Sequence, residues 1–228
     1  MRFFSYIIVG IFLSTRAGST YDVNQLIRPD GTILHALFTP YDNVRQVLIS
    51  LINQEQTSIK IASYFLTDHA VAKALKKAAK RNVSVTAIVD YSLITSARHN
   101  GVLYDLAQTI DLYIFRHMDR GLMHNKFIVF EKNIHDAPLT WTGSYNLTHS
   151  AQDYNFENVI ISNDLIIHAQ YQETFTKLME QSVLSTTIFT AIGYQPTTKL
   201  FTLHIAPKPF NLCHIRKPII NVLHAWIE

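Results

Sequence analysis

The sequence predicts an α/β fold in which helices cover both faces of a β-sheet. Two observations lead to this prediction. Short β-type runs alternate with amphipathic helical segments from residue 33 to about residue 181, and 48% of the 228 residues are hydrophobic. Interleaved strands and helices are typical of layered α/β domains. The hydrophobic content is sufficient for one domain with a filled core. We therefore expect a single domain over residues 30–182.

The first half of this region predicts three strands, each followed by a helix. The strands are expected at 33–38, 58–64 and 83–90, and the helices follow Asp42, span 67–81 and span 97–108. Apolar residues recur with the helical period in each helix and alternate or run continuously in each strand. Asp42 and Thr67 are expected to cap the first two helices, and Asn82 lies where the second should end.

The second half predicts four more strands before a final helix. The strands are expected at 111–116, 126–131, 139–144 and 158–162. The last helix should extend from about Asp164 to Gln181. Its buried side is expected to carry residues at helical spacing, namely Ile167, Tyr171, Thr174, Phe175 and Leu178.

The two ends of the chain differ in composition from this region. Residues 1–19 contain Arg2 and then an apolar run, Phe3 to Leu13, which is short for a membrane span. This pattern predicts a signal peptide, with a retained N-terminal anchor or a buried first helix as alternatives. The protein is accordingly expected to be secreted or periplasmic, or else membrane-anchored. Residues 183–228 contain four of the seven prolines and lack periodicity, which indicates a C-terminal appendage of uncertain order.

Composition limits the possible chemistry. The net charge of +3 is carried by residues 183–228, so the rest of the chain is neutral and gives no support for a polyanionic substrate. The single cysteine, Cys213, excludes an intramolecular disulfide and a cysteine-based zinc site. Several histidines show no metal-ligand spacing and are expected at the surface: His99, His117, His135, His149 and His168. No metal site is predicted.

Residues suited to binding a phosphate lie at the ends of neighbouring predicted strands. His124 and Lys126 are two residues apart, so on a strand their side chains share one face. A neutral histidine is a nucleophile near pH 7, and a lysine can neutralise a phosphate oxygen. Ser144 and Asn146 repeat this spacing at the end of the next strand, so both can donate hydrogen bonds to one anion.

Two further residues complete the candidate site. Gly143 has no Cβ and would let the backbone approach a phosphate closely. Glu157 precedes the strand at 158–162 and could accept a proton from the far imidazole nitrogen of His124. That contact would fix the tautomer and stabilise the imidazolium. Each of these residues therefore has a use at a phosphodiester, and polar decoration of an edge strand is the alternative for His124 and Lys126.

The runs HxKxxxxE at 124–131 and GSxN at 143–146 together resemble the HKD signature of the phospholipase D superfamily. Glu157 matches the acidic residue that follows the second half of the motif. The resemblance extends over roughly residues 33–180 and implies a phospholipase D-like fold with a mixed sheet. It also implies a mechanism without a cofactor. One histidine forms a phosphohistidine, while a second protonates the leaving oxygen and then activates water.

One position departs from the signature, because Glu131 stands where the family has aspartate. Strand parity directs Glu131 away from His124 and Lys126, so we expect a structural role and little loss of chemistry. Glu131 is also the sole support for a different hypothesis, in which the protein binds its ligand but is catalytically degenerate.

The chain carries one HKD motif, whereas the implied mechanism uses two. It resembles the single-motif members, the small bacterial Nuc-type endonucleases and the mitochondrial cardiolipin hydrolase/Zucchini group, which act as homodimers. We therefore expect a homodimer in which His124 of each protomer faces one cleft. The first expected function is non-specific endonuclease activity on DNA or RNA. The alternative is phospholipase D-type hydrolysis of a membrane phospholipid such as cardiolipin.

Other residues are candidates for contacts with the substrate outside the reacting group. Three of them precede the motif and are expected in a loop beside the cleft, where they would contact substrate phosphates: Arg116, His117 and Arg120. Three aromatic residues could stack on bases at the cleft mouth, with packing in the core as an equal alternative for each: Tyr64, Phe65 and Tyr145.

Overall fold

The computed structural model describes residues 21–95, 100–115 and 121–191. Its strands are β1 Leu34–Phe38, β2 Ser58–Ser63, β3 Ser84–Asp90, β4 Asp111–Phe115, β5 Lys126–Phe130, β6 Leu139–Gly143, β7 Asn158–Ser162 and β8 Ser182–Leu184. They form one sheet in the order β1-β7-β6-β5-β2-β3-β4-β8. Strands β2, β3 and β4 are parallel, and the other neighbouring pairs are antiparallel. The predicted mixed α/β sheet is confirmed.

Helices lie on both faces of this sheet. Their bounds are α1 Val44–Gln54, α2 His69–Lys80, α3 Ser92–Thr95, α4 Asn100–Ala107, α5 His149–Asp153, α6 Leu165–Glu180 and α7 Ser185–Ala191. Aliphatic residues of α1, α2 and α4 pack in the larger core on one face. Helix α6 covers the other face, where Phe175 packs with Phe127 of β5. The central strands are therefore buried on both faces. This burial holds in place the strand ends that carry the polar residues.

Two predicted helix caps are wrong by one residue. Asn43, rather than Asp42, caps α1, and Asp68, rather than Thr67, caps α2. In each case the side chain immediately before the first helical residue accepts hydrogen bonds from N–H groups of the first turn. Asn82 follows α2 with a φ of 67°, as expected for a residue that ends a helix in the left-handed region.

Helix α6 presents most of the predicted stripe to the sheet. His168 and Phe175 are buried, whereas Ile167 and Thr174 are exposed. The prediction is therefore wrong at those two exposed positions, whereas Tyr171 and Leu178 pack with Phe175 on this face of the sheet as predicted. The Nε2 atom of His168 lies 3.2 Å from the Gln172 amide nitrogen, so its ring is part of a polar cluster. The prediction that His168 lies at the surface is wrong.

The sheet continues beyond the predicted domain boundary at residue 182. Strand β8 pairs with β4, and Phe189 of α7 is buried in the larger core. The start of the predicted appendage thus belongs to the domain. Residues 1–20 and 192–228 lie outside the described residues, together with the predictions made for them. None of the helices within the described ranges combines the length and apolar character that a membrane span needs.

Candidate active site

The N-terminal end of β5 carries the predicted nucleophile and the neighbouring cation. His124 is exposed, whereas Lys126, the first residue of the strand, is only 9% exposed. Strand β5 pairs with β2 on one side and β6 on the other, so this end lies in the middle of the sheet. The Nζ atom of Lys126 donates to the carbonyl oxygen of His124 over 2.7 Å. The two residues are therefore held next to each other.

Lys126 is a partly desolvated cation. Burial lowers the pKa of Lys126, and the negative charge of Glu157 opposes that shift. An ammonium group has three donors. Within the described residues, the Lys126 ammonium makes one hydrogen bond and lies 5.3 Å from the ring centroid of Tyr64. It therefore keeps donors available for an anion beside His124.

A buried carboxylate holds the chain just before His124, and the sequence analysis did not identify it. Asp90, at the end of β3, accepts a hydrogen bond from the main-chain N–H of Met123 over 2.8 Å. It also accepts from the N–H and the hydroxyl of Ser92, over 2.9 and 2.6 Å. These bonds compensate the charge for its burial. An acidic residue ending an apolar strand is the sequence signal that could have revealed it.

The second half of the motif lies at the end of β6, beside β5. The hydroxyl of Ser144 donates to Glu157 Oε2 over 2.5 Å and accepts from the Asn158 N–H over 3.0 Å. The other carboxylate oxygen of Glu157 accepts from Asn155 Nδ2 over 2.9 Å. The predicted hydrogen bond between Glu157 and His124 is absent from the described residues. The reason is strand order, because β6 lies between β7, which Glu157 precedes, and β5, which His124 precedes.

Gly143 allows two strands to approach each other. A Cβ atom at this position would lie 2.1 Å from the carbonyl oxygen of Asn158. The glycine is therefore required by the main chain of β7, and the approach of its backbone to a phosphate stays a prediction. It brings the following residue, Ser144, next to Asn158, where the Ser144 N–H donates to the Asn158 carbonyl over 3.0 Å.

The other two predicted residues of this half, Asn146 and Tyr145, lie in different environments. Asn146 Oδ1 accepts from the Phe65 N–H over 3.4 Å, so this side chain contacts the loop after β2. Tyr145 is 1% exposed and packs edge-on against Trp141, with ring centroids 6.4 Å apart. Burial raises its pKa. The prediction that Tyr145 binds substrate is wrong, because a buried ring has no free face for a base.

Four other predicted residues lie away from these contacts or outside the described residues. Glu131 lies at the opposite end of β5 from Lys126 and accepts a hydrogen bond from Gln172 Nε2 over 2.7 Å. This contact agrees with the prediction that the Glu131 side chain faces away from His124 and Lys126. The structural role of Glu131 stays a prediction. Arg116, His117 and Arg120 fall outside the described residues. No cluster of three or more His, Cys, Asp or Glu side chains able to hold a metal ion occurs in the described ranges.

Comparison with known proteins identifies the family. The family described as "Cardiolipin synthase, PLD-like domain" matches residues 48–179, which is more than half of the chain. The chain therefore belongs to the phospholipase D superfamily, as the HKD resemblance predicts. It is a phosphodiesterase of that superfamily, a hydrolase that acts on phosphodiester bonds.

Individual relatives agree with this assignment. A phospholipase D of Rickettsia prowazekii (strain Madrid E) is 29% identical over 164 residues, which cover 72% of this chain and 74% of that protein. A mitochondrial cardiolipin hydrolase of Xenopus laevis is 27% identical over 136 residues, 60% of each protein. The crystal structure of Nuc, a phospholipase D family member from Salmonella typhimurium, has the same fold. Its TM-score is 0.61 at 24% identity, covering 67% of this chain and 97% of that one.

Proposed function

We propose that this protein cleaves nucleic acid without a metal, through a phosphohistidine formed on His124. The observation that carries the proposal is the exposed side chain of His124 next to Lys126, whose ammonium donates to the His124 carbonyl. The imidazole attacks phosphorus, the bond to the leaving oxygen breaks, and that oxygen takes a proton. Water then attacks the phosphohistidine, which releases a phosphate monoester and restores the imidazole. Lys126 compensates the negative charge on the phosphate throughout.

Glu157 is proposed to stabilise the phosphate through Lys126, and Ser144 to hold Glu157 in place, because the one hydroxyl proton of Ser144 is donated to that carboxylate. Glu157 holds the Ser144 hydroxyl and places a negative charge near Lys126. That charge favours the protonated lysine, which is the form that can neutralise a phosphate oxygen. Asn146 is proposed to donate from its amide nitrogen, which makes no hydrogen bond within the described part of the chain. Its oxygen is used by Phe65.

A second protomer is proposed to supply the proton for the leaving oxygen from its own His124. The sequence contains one HxK motif, and the exposed position of His124 leaves it accessible to a partner.

An open groove beside Glu157 favours nucleic acid as the substrate. We call it the aromatic groove, and it is lined by Phe38, Thr39, Tyr41, Asp42, Phe156, Glu157 and Asn158. Tyr41 and Phe156 are 79% and 77% exposed, and their ring centroids lie 6.3 Å apart. Exposed aromatic rings beside a phosphate site can stack on bases, which every nucleic acid offers regardless of sequence.

The second candidate substrate is a membrane phospholipid such as cardiolipin. The names of the rickettsial and Xenopus relatives favour it. The exposed Leu122, two residues before His124, could also contact an acyl chain. Export to a secreted or periplasmic location, and anchoring in a membrane, both stay predictions from residues 1–19, which lie outside the described residues.

A substrate panel tests the proposal. The purified full chain and its His124→Asn variant would be incubated with single-stranded DNA, duplex DNA, RNA and cardiolipin vesicles, with a chelator present throughout. We expect cleavage of nucleic acid by the wild type, a phosphorylated His124 trapped by acid quenching, and no turnover by the variant. Hydrolysis of cardiolipin in the vesicles without cleavage of nucleic acid would favour a phospholipid as the substrate. Inactivity on every substrate would favour the degenerate binding protein, and loss of activity with the chelator would exclude the metal-free mechanism.

Mixed dimers test the shared site. Wild type and His124→Asn chains would be co-refolded in equal amounts and the activity compared with wild type at the same total concentration. A site that needs both histidines predicts about a quarter of the activity after random pairing. Independent protomers would retain about half. Sedimentation of the mixture would show whether the chains are dimeric.

A further inference from the structure

We propose that Tyr64 is a positioning residue for the reaction, because its ring holds His124 and Lys126 in a fixed arrangement beside the phosphate. The inference rests on the proposed function of the same site. Tyr64 lies immediately after β2 and belongs to neither half of the HKD motif. It touches no reacting atom in the proposed mechanism, so its effect would be exerted through the two residues that do.

The ring of Tyr64 contacts both functional side chains of the first half-motif. Its centroid lies 4.8 Å from the centroid of the His124 imidazole, and the two planes are inclined by 52°. The Nζ atom of Lys126 lies 5.3 Å from the same centroid. Both distances are within the range for aromatic pairs and for cation–π contacts. One ring therefore restricts the nucleophile and the cation together.

The main chain of Tyr64 is joined to the same segment. Strands β2 and β5 pair as far as Ser63 and Lys126. One residue further, the Tyr64 N–H donates to the carbonyl oxygen of Asn125 over 2.9 Å. Asn125 lies between the two functional residues, so the position of the ring relative to them is set by the sheet.

The next residue extends this link to the second half-motif. The rings of Tyr64 and Phe65 have centroids 4.1 Å apart. The Phe65 N–H donates to Asn146 Oδ1, and the Phe65 carbonyl accepts from the Leu147 N–H over 3.0 Å. The dipeptide thus connects the two halves of the site, which are separate in sequence.

Such a contact matters because His124 is otherwise weakly restrained. Its side chain is exposed and makes no hydrogen bond within the described residues, so free rotation about χ1 and χ2 would spread the imidazole over several positions. A displacement of about 1 Å in a reacting group can lower a rate about a hundredfold. The tyrosine hydroxyl also makes no hydrogen bond in the described part of the chain, which assigns the effect to the ring.

Two substitutions distinguish the effect of the aromatic ring from the effect of apolar side-chain volume. Tyr64→Phe keeps the ring, whereas Tyr64→Leu keeps an apolar side chain without it. We expect kcat on bis(p-nitrophenyl) phosphate and on a single-stranded oligonucleotide to change less than about twofold in Tyr64→Phe. In Tyr64→Leu it should fall about 30-fold, with KM changing less than about threefold. Tyr154→Leu is the matched control, since the Tyr154 ring contacts His149 instead of the site.

A spectroscopic measurement tests the contact independently of activity. A ring at this distance shifts the resonances of the His124 imidazole protons, and Tyr64→Leu should remove that shift while Tyr64→Phe retains it. An unchanged shift in Tyr64→Leu, or a Tyr64→Phe variant as impaired as Tyr64→Leu, would overturn the proposal. An effect on KM alone would assign the ring to substrate binding instead. Wild-type inactivity would refute the proposed function, and the imidazole shift would still decide the placement of the ring.

Discussion

Two charged side chains are buried against β5, one at each end of the strand. Glu55, 1% exposed, lies at the far end, where its carboxylate accepts hydrogen bonds from four nitrogen atoms, those of Thr57, Ser58, Lys132 and the Asn133 side chain, over 2.9 to 3.1 Å. Lys126 lies at the near end with one hydrogen bond to a carbonyl. A buried charge is stable in proportion to the partners that replace water. The Glu55 carboxylate is therefore well compensated, whereas the Lys126 ammonium is not.

We therefore expect the Glu55 end of β5 to contribute mainly to stability and the Lys126 end to contribute mainly to activity. At the far end, the hydrogen bonds that Glu55 accepts tie the end of α1 to the start of β2 and the end of β5. At the near end, the lowered pKa of Lys126 records the cost of desolvation that its few partners leave uncompensated. An incoming phosphate would supply the missing partner. Substitutions at the two ends should consequently have opposite effects on stability and on activity.

The largest effect on stability is expected from Glu55→Gln. An amide replaces one acceptor oxygen with a donor that faces main-chain N–H groups, so the free energy of unfolding should fall by about 3 kcal/mol. For a domain of this size, that corresponds to a lower Tm by about 6–12 °C. Urea denaturation followed by circular dichroism measures the change, and kcat well below the transition should stay within about twofold of wild type.

Glu173→Gln is the control for this substitution. Glu173 is exposed and pairs with Lys177 one turn further along α6. Its loss should lower the free energy of unfolding by no more than about 0.5 kcal/mol. Equal effects of the two substitutions would contradict the structural role assigned to the Glu55 carboxylate.

The largest effect on activity in this comparison is expected from Lys126→Met at the near end. Activity should fall about 100- to 1000-fold, because one cation that faces the phosphate is lost. The free energy of unfolding should stay equal or rise, since an apolar group replaces a desolvated ammonium. The folded-state pKa of Lys126 is below its ordinary value, so wild-type stability should also rise as the pH approaches 10.5. Lys126→Met should lack that increment.

Lys132→Met provides the matched comparison, because this half-exposed lysine follows the far end of β5. Its removal should leave kcat within about twofold. A Lys126→Met variant that loses stability along with activity would show that the ammonium belongs to the structural network, which would remove the contrast between the two ends.

A smaller loss of activity is expected from Glu157→Gln. The amide can still contact the Ser144 hydroxyl, but it removes the negative charge that favours a protonated Lys126. We expect kcat/KM to fall about 10- to 100-fold, and the loss to be greatest at high pH, where the lysine titrates. A pH profile from 6 to 10 measures this. A uniform loss at every pH would assign Glu157 to orienting Ser144 alone.

The sequence predicts the strands of this fold because each is a local pattern. The run predicted at 126–131 corresponds to β5, Lys126–Phe130, and the pair at 139–144 and 158–162 corresponds to β6 and β7. Strand β8 was outside the prediction for a physical reason. Its three residues are too few to show alternation, and it is defined by pairing with β4, which is distant in sequence.

The contacts of the site are less accessible from sequence. Spacing placed His124 and Lys126 on one face, but the partner of Glu157 depends on which strands are neighbours. Strand parity also fails beyond the end of β6, so it could not show that Tyr145 turns into the core. The contact between Tyr64 and His124 joins segments 60 residues apart, and no local pattern marks it.

The smallest effect concerns His168, whose ring lies close to the far end of β5. Burial lowers the pKa of His168 from its ordinary value of 6.5. Glu131 and Glu55 oppose this shift, and Lys60 adds to it. Below pH 6.5 the unfolded chain therefore binds a proton that the folded chain resists, so this residue makes stability fall as the pH drops. The loss between pH 7 and pH 5 should be smaller in His168→Gln than in wild type, as measured by urea denaturation at both pH values. Equal losses would mean that His168 is protonated in the folded state, in which case the polar cluster at the far end would contain a charge that Glu131 balances.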